Sequence, residues 1–138
     1  MEGLQIVDID INNLPVVEPV AKGEYNLEVA GAEIKMSAQG KPYINMRIIN
    51  LDHPDSRDLY EVLSLPNSED DEKKKAQKGG RIRDFVLATG FPWTGMPDFC
   101  AAVEDRFKGL QFRAFVKLEN IPNSSDRQNR VDKYIAKR

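Results

Sequence analysis

The chain has a single cysteine and a single histidine in 138 residues. Cys100 therefore has no partner for an intramolecular disulfide, and a cysteine-based zinc site would need more thiols. A reducing compartment suits such a sequence, and Cys100, within the apolar run PDFCAAV, reads as core packing. With His53 the sole imidazole, no Ser/His/Asp or Cys/His catalytic arrangement is expected. Gly40-Lys41 runs into Pro42 and lacks the first glycine of a phosphate-binding loop, so nucleotide hydrolysis is not expected. No apolar stretch approaches the roughly 20 residues that span a bilayer, and no basic-then-apolar leader opens the chain. The expectation is a cytoplasmic protein that is not an enzyme, has no membrane contact and needs no cofactor. Asp52, Asp55 and Asp58 share one polar loop and read as solvated charge, not as a metal site.

What is present is enough for one domain: 41% of residues are hydrophobic and 30% charged, which supports one modest core and not two. A formal charge of −2 conceals an asymmetry. Residues 1–72 carry 5 basic and 15 acidic side chains, whereas residues 106–138 carry 9 basic and 3 acidic. A basic face that meets a polyanion, on an otherwise acidic surface, would have this distribution, and so would a merely uneven surface.

Residues 1–22 have no clean period and read as an extended lead-in to a domain over residues 23–138. From Gly23, the inward set Tyr25, Leu27, Val29 alternates with polar residues, the period-2 signature of a half-buried strand. Gly31 marks a bulge or bend, after which Ile34 and Met36 resume the pattern. Residues 37–40 form a turn that uses Gly40 at positive φ. The second strand sets Ile44, Met46 and Ile48 inward, against Tyr43, Asn45 and Arg47 outward. Leu59–Leu65 reads as a third strand, but its apolar run leaves open which way Tyr60, Val62 and Ser64 point. Residues 67–80, with the block EDDEKKK and the pair Gly79-Gly80, read as a mobile charged insertion or a frayed helix. An apolar helix follows over Arg81–Thr89, burying Ile82, Phe85, Val86 and Thr89. A loop with Phe91, Pro92 and Trp93 leads to a short helix from about Asp98 to Arg106. The fourth strand has the clearest alternation, with Leu110, Phe112, Ala114, Val116 and Leu118 inward. A final strand is expected over Arg130–Ala136.

The order βββαββ predicts a mainly β fold, the five-stranded oligonucleotide-binding (OB) barrel with a helical segment between strands 3 and 4. In such barrels the outer face of strands 2 and 3, with the loops between strands 1 and 2 and strands 4 and 5, forms the ligand groove. The outward face of strand 2 offers Tyr43, Asn45 and Arg47, with Lys35 and Lys41 from the loop before it and Tyr60 from strand 3; the outward side of strand 4 adds Arg113, Phe115 and Lys117, and its loop to strand 5 adds Arg127 and Arg130. Aromatic rings give unstacked bases a flat surface, while lysine and arginine follow phosphates. The predicted ligand is single-stranded DNA, with RNA left open, bound with little sequence preference and weakened by salt. Trp93, between helices, reads as a seal on the core.

The segments GEYNLEVAGAEIKMSAQGKPYINMRI, LYEVLSL and FKGLQFRAFVKLE together resemble the small phage-encoded OB-fold proteins of the single-stranded-DNA-binding type, over roughly residues 20–137. The resemblance implies a role in phage DNA replication or recombination, with phage replication or recombination proteins as further partners. The chain ends in Lys133, Lys137 and Arg138, so recruitment of partner enzymes through an acidic tail is not expected. A homodimer would widen the coverage of a strand, since one such domain spans about 4 to 16 nucleotides. The competing reading keeps the barrel and changes the ligand: a module that grips a recombinase, a nuclease or a host factor.

Overall fold

The structure, a computed structural model, describes residues 18–137. Most of the expected lead-in, residues 1–17, lies outside that range, as does Arg138. Val20 docks on the last strand: its N–H donates to Asn129 Oδ1 at 2.8 Å, and Asn129 Nδ2 donates back to its carbonyl at 2.8 Å.

The elements are β1 (Gly23–Met36), β2 (Pro42–Asn50), β3 (Leu59–Ser64), α1 (Glu72–Thr89), α2 (Met96–Arg106), β4 (Gln111–Asn120) and β5 (Arg127–Ile135). All pairing is antiparallel, in the order β3-β2-β1-β4-β5. β1 serves two neighbours because its register shifts between Val29 and Gly31, where the bend was expected. Its first half, Gly23–Glu28, pairs with β4, and its second half runs beside β2. The turn into β2 uses Gly40 at φ 75°, a conformation that costs glycine nothing.

Alternation converts directly into burial. Ile44, Met46 and Ile48 of β2 and Phe112, Ala114 and Val116 of β4 are buried, with Leu110 and Leu118 only partly covered. In β3 the inward set is Leu59, Glu61 and Leu63, which turns Tyr60, Val62 and Ser64 outward. β5 starts at Arg127, earlier than the expected Arg130. The helices close the core with aromatic rings. Phe85 of α1 lies within 6.3 Å of Phe99, Phe107, Phe112 and Tyr134, centroid to centroid. Trp93 leans on Phe99 at 5.4 Å, at the margin of this cluster.

α1 starts at Glu72, not at Arg81, so of the two expectations for residues 67–80, a mobile insertion or a frayed helix, residues 72–80 take the helical one, continuous with Arg81–Thr89. Asp71 caps it, accepting the Lys74 N–H at 2.8 Å. Asp70 binds the incoming turn through the Asn67 N–H at 3.0 Å and pairs with Lys78 Nζ at 2.7 Å. Gly79 and Gly80 cost roughly 1 kcal/mol each against alanine. Burial of Ile82 and Phe85 alone is worth about 1.5–3 kcal/mol apiece, and the cap adds about 1 kcal/mol, so the helix persists through them.

The expected closed barrel is not formed by the backbone: among the described residues no ladder joins β3 to β5, and the sheet is open. Its two edges are bridged by side chains. Arg81 of α1 donates to Glu61 Oε2 of β3 at 2.6 Å and to the carbonyls of Val131 and Asp132 of β5, each at 3.0 Å. Tyr134 of β5 donates its hydroxyl to the same Glu61 oxygen at 2.8 Å, and its ring lies 4.7 Å beneath the guanidinium. Burial, then the neighbouring Glu61 charge, pushes the Tyr134 phenol well above its ordinary range, so it stays a donor.

Two predictions follow from these buried charges. Replacing Glu61 or Arg81 with alanine removes one member of a shielded pair and should cost about 3 kcal/mol, the lower end for such pairs because Arg81 is partly exposed. Urea denaturation with an unchanged slope measures it; a loss under about 1 kcal/mol contradicts the bridge. The second concerns Asp70, whose pKa is lowered from 3.8 chiefly by the Lys78 hydrogen bond and then by the Asn67 N–H. A depressed folded pKa stabilises above the unfolded value and stops doing so as pH falls through the folded one. Asp70→Asn should therefore be less stable than the parent at about pH 6, with the difference shrinking below 3.8 in acid denaturation curves.

Candidate nucleic-acid interface

The expected site residues fall into two sets. On the outer face of the second half of β1 with β2 and β3, cross-strand pairing sets three rows side by side. Lys35, Tyr43 and Ser64 form one, Glu33, Asn45 and Val62 the next, and Gly31, Arg47 and Tyr60 the third. Lys41 stands at the head of β2, its N–H held by Ser37 Oγ at 3.1 Å. Tyr60 is 55% exposed and Tyr43 is half-buried. Tyr43 and Arg47, which faces Tyr60, are four residues apart, so the two rings stand about 13 Å apart along the strands.

Two shallow grooves cross this face and meet at Asn45. One, of about 350 Å³, is bounded by Gly31, Glu33, Arg47 and Tyr60. The other, of about 570 Å³, is bounded by Lys41, Tyr43, Val62 and Ser64. Sequence reading missed its far wall, which is Asp70 with Lys74 and Lys78 of α1. The expected charged insertion contains these lysines; the signal that recovers them is Asp71, a favoured N-cap residue, which starts the helix early enough to carry them here.

The second set lies on β4 and β5. Arg113, Phe115 and Lys117 point outward from β4, with Phe115 46% exposed between Glu24 and Lys133 of the neighbouring strands. Arg130 faces Lys117, and Arg127 opens β5. Among the described residues no hydrogen bond, ion pair or ring contact joins this set to the first.

Several of these cations have carboxylate partners. Lys35 meets Glu33 at 3.1 Å, Arg47 meets Asp58 at 2.8 Å and Arg113 meets Glu24 at 2.7 Å. Lys117 and Arg130 share Glu119 at 3.5 and 3.7 Å. Lys41 and Lys74 have no such partner among the described residues. The hydrogen bond that Arg47 donates to Asp58, then the Asp58 charge, raises the Arg47 pKa. Asp52, in the same loop as Asp58, is occupied in another way: it accepts the Asn26 N–H at 2.8 Å, which lowers its pKa. Among the described residues no three His, Cys, Asp or Glu side chains are grouped to hold a metal, and no helix is long and apolar enough to cross a membrane.

Another concavity, about 780 Å³, lies elsewhere, between the start of β1, β4 and the end of β5. It holds Arg113 and Lys137 against Glu24 and Asp52, so its charges cancel, and no exposed ring faces it. The β1–β2–β3 face offers rings and net positive charge together and is the better candidate.

No curated protein matches the chain. Residues 7–131 match the family described as a protein of unknown function, DUF669, and the chain belongs to that family.

Proposed function

We propose that the protein binds single-stranded DNA with little sequence preference, across the outer face of β1, β2 and β3. The observation that carries this reading is the pair of rings, Tyr43 and Tyr60, in rows about 13 Å apart along the strands, each lining one of two open grooves that meet at Asn45 and are flanked by Lys41 and Arg47. Rings at that separation serve different bases, and each stacked base contributes about 1–3 kcal/mol. The Arg47–Asp58 pair does not oppose it: both side chains are substantially exposed, such pairs are worth about 0–1 kcal/mol, and a phosphate can take the place of Asp58.

The finer fold reading belongs here too. The strand order is that of an OB barrel opened between β3 and β5, and that fold is a partly open barrel. The Arg81–Glu61–Tyr134 bridge supports treating the gap as a seam. A role in phage DNA replication or recombination, in the host cytoplasm, rests on the family resemblance of the three sequence segments alone.

A second reading, a protein-binding module, has its own support in Met36, 62% exposed beside Ile34 at 38%, and in the carboxylates that neutralise five of the expected cations. Fluorescence anisotropy with a labelled strand of about 30 nucleotides, against the matching duplex, separates the two. The expected result is salt-sensitive binding that prefers the single strand. Tyr60→Ala with Arg47→Ala should weaken it at least tenfold, about 1.4 kcal/mol, and Arg113→Ala with Phe115→Ala should change it far less. No binding at low salt, or the reverse order of the two variants, overturns the proposal.

A further inference from the structure

The lysines at the start of α1 have no part in the fold's core, yet two of them reach the β2–β3 groove. Its lining holds three ammonium groups, Lys41, Lys74 and Lys78, against the single carboxylate of Asp70. Asp70 is buried and paired with Lys78 at 2.7 Å, and the Lys41 charge acts on it more weakly; neither Lys41, on the β2 wall, nor Lys74, on the α1 wall, has a carboxylate within ion-pair distance among the described residues. Both walls are fixed by backbone geometry. Lys41 follows the Gly40 turn and is tied to Ser37, while Lys74 sits in the first turn of α1, its N–H held by Asp71. The other acidic residues of the block, Glu69, Asp71 and Glu72, do not line the groove: Asp71 is the cap, and Glu72 lies 3.9 Å from Lys75.

We infer that Lys41 and Lys74 form a two-sided phosphate clamp that extends the strand's path from the β2–β3 face onto α1, past Tyr43. The inference rests on the single-strand reading of that face. α1 is thereby a wall of the binding groove as well as a cover for the core. A single strand leaving the ring of Tyr43 passes between the two ammonium groups, and its backbone, not its bases, is what they hold.

Each phosphate contact to a single strand adds about 0.7 to the slope of log affinity against log salt. The test is that slope, measured by anisotropy with oligothymidine of about 30 nucleotides for three proteins. Lys41→Ala with Lys74→Ala should reduce the slope by about 1.4. Lys73→Ala with Lys75→Ala removes the same charge from the same helix but outside the groove, and should reduce it by less than half as much. Equal reductions in the two variants mean a diffuse field and overturn the clamp, as does an unchanged slope in the first. In both cases the parent still binds, so the broader reading survives. A parent that binds no single strand overturns both together. Thermal melts of the variants, unchanged because these side chains are outside the core, show that the comparison is between folded proteins.

Discussion

The sheet is held in shape by one buried charge contact. Glu61 is the only charged side chain on the inward face of β3, and it would be costly there without a partner. Arg81 supplies the partner from α1 and uses its remaining donors on the carbonyls of β5, while Tyr134 completes the shell of the same carboxylate oxygen. Three elements that share no backbone ladder are thereby joined at one point. Remove it and β3 keeps only β2 as a hydrogen-bonded neighbour, so the outer face that carries Tyr60 loses its support on one side.

That constraint explains why the candidate site is on a rigid surface. β2 is paired on both sides, β3 is pinned through Glu61, and the second half of β1 is aimed by the bulge at Gly31. The rings and cations of the outer face are therefore placed by strand register, not by loops. α1 contributes twice: at Arg81 it closes the seam, and at Lys78 and Lys74, about one and two turns earlier, it walls the groove. One helix start, set by the Asp71 cap, determines both.

Much of this was legible in the sequence wherever alternation was clean. β2 and β4 as far as Lys117 separate inward from outward residues, and the bulge of β1 and the Gly40 turn fall where glycine marks them. β3 was not legible, because Leu59–Leu65 is nearly continuous in apolar residues and the inward carboxylate Glu61 makes sense only once Arg81 and Tyr134 are near it. The start of α1 was missed because Gly79-Gly80 argues locally against a helix, while the packing of Ile82, Phe85 and Ala88 that outweighs it is tertiary. The expected site residues are outward positions, and Gly31 marks the bend of β1, but the sequence does not say which neighbour each half of β1 takes. The bend splits Arg113, Phe115 and Lys117 from Arg47 and Tyr60.

Nucleic acid is proposed to lie on the β1–β2–β3 face and against the start of α1. The most direct measurement is amide chemical-shift mapping by NMR as oligothymidine is added. Shifts concentrated at Lys35, Lys41, Tyr43, Asn45, Arg47, Tyr60 and Lys74 are the predicted result. Shifts concentrated instead at Arg113, Phe115, Lys117, Arg127 and Arg130, or none at saturating oligonucleotide, would contradict it.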